Sequence, residues 1–177
     1  MTAMTETQVS VSGFGTDYQV GRNTNTATSD KVNAFVNCML DRAQTVSARV
    51  YNLPVKFILA HWAAESGWGT SAASARAQNW AGLMYHGTDN YCKGEDAASG
   101  MSMFYGKRTF ANAYANRLLN VSNYSNLRAY LQSSAEPSVE ICIYYISGSG
   151  YSESDADAYG DLIRSCVSSI ERYTDIA

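Results

Sequence analysis

Pro54-Val55-Lys56-Phe57-Ile58-Leu59-Ala60-His61-Trp62-Ala63-Ala64-Glu65-Ser66-Gly67-Trp68-Gly69 decides how the rest of the chain is read. Pro54 suits a first helical position, where its missing amide hydrogen has no intrahelical partner to lose, and Gly67 and Gly69 supply the backbone freedom that stops a helix. Phe57, His61, Glu65 and Trp68 recur at helical spacing on one side, with Ile58, Leu59, Trp62 and Ala63 on the other. The stretch predicts a mostly buried helix with one acid near its end. An ionised carboxylate in apolar surroundings is costly unless paired. Desolvation by neighbouring aromatic rings raises a carboxyl pKa, which is what a general acid working near neutral pH requires of Glu65. The plainer reading is an acid that caps a neighbour or pairs with Arg76.

Upstream, Ser29 reads as the cap of a helix over about Asp30 to Tyr51, whose apolar side is Val32, Phe35, Val36, Met39, Leu40, Ala43 and Val46. That face is expected to pack on the Glu65 helix, with Asn52-Leu53-Pro54 as the turn, because the residue before proline resists helix. Residues 1–28, rich in Thr, Ser, Gly and Asn and lacking helical period, read as a flexible arm with a short strand at Gln8-Val9-Ser10-Val11. Residues 29–177 then form the folded domain.

Downstream, Ser71 to Ala77 predicts a short helix. Asn79 to Tyr85 is an apolar, aromatic run too short for another, residues 87–96 are polar and punctuated by glycine, and Met101 to Tyr105 alternates. That order predicts a small β-hairpin or flap over a cleft. Four helices are expected after it, over Thr109 to Asn120, Asn123 to Gln132, Pro137 to Ile146 and Asp155 to Tyr173. In the last, Tyr159, Leu162, Ile163, Cys166, Val167 and Ile170 face inward. The expected class is mainly α, one helical domain with a small hairpin.

Composition narrows the function. The 177 residues are 46% hydrophobic with a formal net charge of -3, which supports a real core and gives no basic field for a nucleic acid. No apolar run is long enough to span a bilayer and no secretory signal is visible at the start, so an integral membrane protein is not expected. Cys38, Cys92, Cys142 and Cys166 have no metal-ligand spacing and His61 and His86 are the only histidines, so no metal or other cofactor is expected. The cysteines fit either disulfides or buried free thiols. Thirteen tyrosines offer flat faces and hydroxyls, which suit sugar rings as well as a core.

Taken together, the segments resemble the glucosaminidase domains of glycoside hydrolase family 73, a group that includes flagellar peptidoglycan hydrolase domains, autolysins and phage wall enzymes. Ile58 to Gly69 is similar to the family pattern I/L-L-A-Q-A-A-L-E-S-G-W-G. Asn79-Trp80-Ala81-Gly82-Leu83-Met84 lies where the family has an asparagine followed by L/V-F-G-I-K, and Phe104-Tyr105 with Phe110 to Tyr114 resembles its F-x-x-Y segment and following helix. Ser149-Gly150-Tyr151 through Tyr159 resembles G-Y-A-T-D-P-x-Y near the domain's end. Four pieces in order over Ser29 to Tyr173 give the resemblance its weight.

The resemblance implies a lysozyme-like helical core and hydrolysis of the N-acetylglucosaminyl β-1,4 bond of peptidoglycan, as an endo-β-N-acetylglucosaminidase, with Glu65 as general acid. It places Tyr151 and Tyr124 near cleft tyrosines, Tyr151 the better aligned and a candidate catalytic residue, and makes Trp68, Trp80 and Tyr85 walls of sugar subsites. Trp68 and Trp80 also fit a core role. His61 stands where the family often has glutamine, one turn from Glu65, and is a candidate partner of that acid and site residue; a satisfied buried histidine is the more frequent case. The family's second carboxylate, in its hairpin, matches none of Glu95, Asp96 and Asp89 cleanly; Glu95 is preferred, then Asp96. Ala81 replaces a family phenylalanine and the proline of the last segment is absent.

Two carboxyl groups about 5 Å apart retain anomeric configuration and about 6.5–9.5 Å apart invert it, while an N-acetyl group can replace the second carboxylate altogether. The alternatives are a muramidase or lytic transglycosylase on the same fold, or a peptidoglycan-binding or assembly module without activity. Expected partners are peptidoglycan glycan strands, with an inhibitor or immunity protein, or a secretion or virion scaffold, beside them. Action in the cell wall or periplasm without a visible leader implies phage lysis, export by a dedicated apparatus, or a processed leader.

Overall fold

The computed structural model describes residues 28–87 and 91–177. The predicted arm and its strand at Gln8 to Val11, and the flap residue Asp89, lie outside the described residues. Seven α-helices and one two-stranded antiparallel sheet make up the described part, so the class is mainly α, as expected, and consistent with a lysozyme-like fold.

Helix α1 spans Thr28–Arg49 and buries Val32, Phe35, Val36, Met39, Ala43 and Val46 along one face. Ser29 lies inside this helix and not at its cap, its carbonyl accepting from Asn33 Nδ2 at 2.8 Å. The chain turns through Tyr51 and Asn52, both in the left-handed region (φ 49° and 58°), and Leu53 is fully buried beneath the turn. Helix α2 spans Val55–Ser66, with Pro54 just outside its first turn and accepting from the Ile58 amide at 3.1 Å. Hydrophobic residues occur all around α2, as befits a helix enclosed by its neighbours; it packs on α1 and on the last helix, α7, Ala156–Tyr173.

Helix α3, Ala72–Ala77, is capped by Ser71, which accepts from the Ser74 amide. The hairpin pairs β1, Cys92–Glu95, with β2, Ser102–Phe104, in the register Glu95↔Ser102 and Cys92↔Phe104, with a bulge between Cys92 and Gly94. The structure corrects the sequence reading here. The first hairpin strand is the end of the polar excursion, not the apolar run at Asn79 to Tyr85. That run flanks β2 instead, through the Ser102 amide to Leu83 O (2.8 Å), the Tyr85 amide to Gly100 O (3.0 Å) and a Met84↔Met101 bridge. Alternation marks a half-exposed strand, whereas Trp80, Ala81 and Leu83 are all buried.

Helices α4 (Lys107–Asn120), α5 (Ser125–Ser133) and α6 (Val139–Ser147) precede α7, with a 3-10 turn at Ser122–Tyr124 between α4 and α5. Asp155 caps α7 by accepting from the amides of Asp157 and Ala158. One core unites these elements: Phe35 and Met39 from α1, Ile58 and Trp62 from α2, Phe110 and Tyr114 from α4, Ile143 and Ile146 from α6, and Ile163 and Ile170 from α7. All four cysteines are free thiols. Among the described residues, no helix is long and apolar enough to cross a membrane.

Candidate active site

Glu65 is the penultimate residue of α2, and the backbone locks just beyond it. Gly67 takes the left-handed conformation, and the amides of Gly67 and Trp68 both close onto Ala63 O. The Ser66 hydroxyl donates to Trp62 O at 2.7 Å and accepts from the Gly69 amide at 2.8 Å. Opposite the carboxyl runs Gly82, at φ 60°, so close that a Cβ there would lie 3.0 Å from Glu65 Oε2. Asn79 builds that approach: its Nδ2 donates to Leu83 O and Ser102 O, both at 2.9 Å, and its Oδ1 accepts from the Leu83 amide at 3.0 Å. From the other side the Tyr151 hydroxyl donates to Ala81 O at 2.7 Å.

Behind the acid lies a chain of buried polar groups. Tyr159 donates its hydroxyl hydrogen to Glu65 Oε1. His61 Nε2 lies 2.8 Å from that same Tyr159 hydroxyl, and His61 Nδ1 lies 2.8 Å from the Tyr114 hydroxyl. His61 is fully buried and burial pushes its pKa down to about 3, so the ring is neutral. Glu65 is half-buried; desolvation raises its pKa, and the Tyr159 hydrogen bond, which favours the carboxylate, offsets part of the rise. The acid is thus fixed by one oxygen and disposed to hold a proton, the two properties a general acid needs.

Glu65 occupies the expected place at the helix end, and Arg76 is not its partner: Arg76 binds Asp96 bidentately at 2.8 and 2.7 Å. Tyr151 and Tyr124 come together near it, ring centroids 6.0 Å apart, with Tyr151 stacked on Tyr159. The Tyr151 hydroxyl donates to Ala81 O and so braces the wall that carries Gly82. Trp68 is half-buried, edge-on to Phe35 at 5.8 Å, and Tyr85 is half-buried beside β2.

Three expectations need correction. Trp80 has 0% of its surface exposed and packs edge-on against Phe110 at 5.2 Å, so it is core and has no face to offer a sugar. His61 does not bond Glu65 or reach the surface; it bonds Tyr159, which bonds the acid. Asp96 is buried in the hairpin turn, where Arg76 and the Ser99 hydroxyl hold its carboxyl well below the usual carboxylate range. That makes it the clamp of the turn. Glu95, next to it, is exposed at the end of β1 and forms no ion pair among the described residues.

Sequence reasoning placed Tyr159 and Tyr114 in segments that resemble the family, and Tyr159 among inward-facing residues, but missed their link to the acid. A signal existed: a histidine on a helix buried all round needs partners for both ring nitrogens, and buried tyrosines supply them. Among the described residues, no three His, Cys, Asp or Glu side chains gather as a metal-binding group.

Three comparisons place this geometry among known proteins. The glucosaminidase family, described as mannosyl-glycoprotein endo-β-N-acetylglucosaminidase, has a model that matches residues 41–172. No curated protein matches the chain. Among solved structures, that of a type VI secretion system effector-immunity complex from Pseudomonas protegens is similar at TM-score 0.57 and 18% identity, over 80% of this chain and 94% of the other. At that identity the likeness is one of fold. The family match runs from the last turns of α1 to the end of α7, taking in Glu65, Gly82 and Tyr159, and the chain belongs to the glucosaminidase family of glycoside hydrolases.

Proposed function

We propose that the chain is a peptidoglycan hydrolase that cleaves the N-acetylglucosaminyl β-1,4 bond of the glycan, with Glu65 as general acid. The observation that carries the reading is the state of that carboxyl, half-buried, raised in pKa and pinned through Oε1 by Tyr159 in a glucosaminidase-family domain. In the proposed step Glu65 gives its proton to the bridging oxygen as the bond from that oxygen to the anomeric carbon breaks. Water adds to the anomeric carbon and loses its proton to the second carboxylate. Glu95 suits this second role better than Asp96, whose oxygens are already engaged by Arg76 and Ser99. Trp68 and Tyr85, each with part of its ring accessible, are the proposed sugar contacts.

The place of action on this reading is the cell wall. The type VI effector-immunity neighbour shares the fold and supports the further reading of a delivered effector whose partner is an inhibitor protein seated over Glu65. Purified sacculi provide the test. Wild-type protein is expected to lower their turbidity and to release fragments ending in reducing N-acetylglucosamine, and Glu65→Gln to lose about 10²–10⁴-fold in rate, the usual worth of a general acid. Retention of more than a few per cent of activity by Glu65→Gln sinks the assignment, and an anhydro-muramyl end sinks the bond.

A further inference from the structure

The buried chain behind Glu65 has a direction, and the direction follows from counting hydrogens. His61 is neutral, so its ring has one N–H and one lone pair. Each tyrosine hydroxyl has one hydrogen. Tyr114 is fully buried and His61 Nδ1 is the sole partner of its hydroxyl among the described residues. If Nδ1 bears the ring hydrogen, the Tyr114 hydrogen points at nothing, inside the core. If Nδ1 is the lone pair, Tyr114 donates to it, His61 Nε2–H donates to the Tyr159 oxygen, and Tyr159 donates to Glu65 Oε1. Every buried group is then satisfied. An orphaned buried donor biases the equilibrium by about tenfold or more against the reverse arrangement.

We infer that Tyr114, His61 and Tyr159 form a one-way hydrogen-bond relay that reserves Glu65 Oε1 as an acceptor and leaves Oε2, the oxygen beside Gly82, to carry the transferable proton. His61 is a positioning residue in this scheme: it acts through Tyr159 and touches no sugar. In the reverse arrangement Glu65 Oε1 would have to donate to Tyr159, holding the acid's proton on its buried side and away from the wall formed by Gly82. The relay also predicts which residues position 61 would accept. A glutamine at position 61 has an amide N–H for Tyr159 and a carbonyl oxygen for Tyr114, so it preserves the direction; leucine preserves neither.

This inference rests on Glu65 as the acid, but its first test does not need activity. In uniformly ¹⁵N-labelled full-length protein, long-range proton–nitrogen correlation reads the tautomer of His61, assigned by the signal that vanishes in His61→Gln. The expected result is hydrogen on Nε2 and a bare Nδ1 between pH 5 and 8; hydrogen on Nδ1, or on both nitrogens, overturns the relay whether or not Glu65→Gln is dead. Conversely, an active Glu65→Gln overturns the acid while leaving the tautomer readable.

Kinetics supply the second test. His61→Gln is expected to keep kcat within about threefold of wild type, and His61→Leu to lose about 30-fold in kcat with KM little changed, as a misaligned acid does. Equal losses in the two variants overturn the positioning role. Tyr114→Phe removes the hydrogen that fills Nδ1, so at a pH where Glu65 holds its proton the tautomer signal should become mixed; an unaltered signal there also overturns the relay. Should His61→Leu fail to fold, the wild-type and Tyr114→Phe spectra decide alone.

Discussion

Gly82→Ala isolates the closest approach in the site. Two costs arise, and they are read by different instruments. An alanine at φ 60° carries a left-handed penalty of about 1 kcal/mol, which in a domain of this size lowers Tm by about 2–4 °C. The new methyl carbon would also start 3.0 Å from Glu65 Oε2, about 0.4 Å inside the 3.4 Å at which ordinary contact begins. The Asn79 and Tyr151 hydrogen bonds hold the 81–83 wall, so the carboxyl is the part that moves. A 1 Å misplacement of a reacting group costs about 100-fold; scaled linearly in the logarithm, 0.4 Å costs about sixfold in kcat. Gly87→Ala is the control, because Gly87 has φ 79° and a Cβ there meets nothing within 4 Å among the described residues. Calorimetry and sacculus turbidity are expected to show similar Tm losses in the two variants and a sixfold rate loss in Gly82→Ala alone. Equal rates in the two refute the argument from contact.

Glu65→Gln should stabilise the fold at neutral pH. The pKa of Glu65 in the folded protein lies above its ordinary value of 4.5, so its contribution to folding is complete below that value and lost as pH rises through the folded pKa. A Tm gain at pH 8 that disappears by pH 4 is expected in thermal scans; a constant offset contradicts it. Asp96 has the opposite sign: its folded pKa is depressed by Arg76 and Ser99, so its stabilisation is present above its unfolded pKa, about 4, and fades as pH falls through the folded one. Asp96→Asn should therefore lower Tm at pH 7 with the gap closing in acid, while Glu95→Gln should leave Tm unmoved and reduce kcat by about 10²-fold or more. Reversed effects would exchange the two roles. Cys142 and Cys166, whose thiols burial pushes up to about 12, should resist iodoacetamide until the protein unfolds, as mass spectrometry of the alkylated native protein will show.

The sequence carried the α2 helix, its acid and its stop almost complete, because local rules govern all three: proline at the start, left-handed glycine at the end and an apolar interior between. The hairpin was legible as a region but not in register, since Asn79 organises the 79–85 run through hydrogen bonds to Leu83 and, 23 residues on, to Ser102, and period alone does not reveal such a link. Trp80 was ambiguous for a related reason: an indole serves a core and a sugar subsite equally well, and only its enclosure beside Phe110 separates them. Tyr159 was legible as an inward residue and as the end of the Ser149 to Tyr159 segment, but its hydroxyl gains meaning only when α7 folds back across 94 residues to meet Glu65.

The position of Glu65 within α2 has an electrostatic consequence of its own. The acid sits in the last turn, where the unpaired carbonyls of a helix gather about half an elementary negative charge. A carboxylate there is opposed by the peptide dipoles themselves, by roughly 0.3–1 kcal/mol, in the same direction as desolvation. Part of the acid's affinity for its proton is therefore built from main chain, beyond the reach of any side-chain substitution. Recharging the domain's surface should leave the pH optimum nearly where it is, whereas lengthening α2 by one turn, which carries the acid away from the helix's negative pole, should move the optimum toward acid.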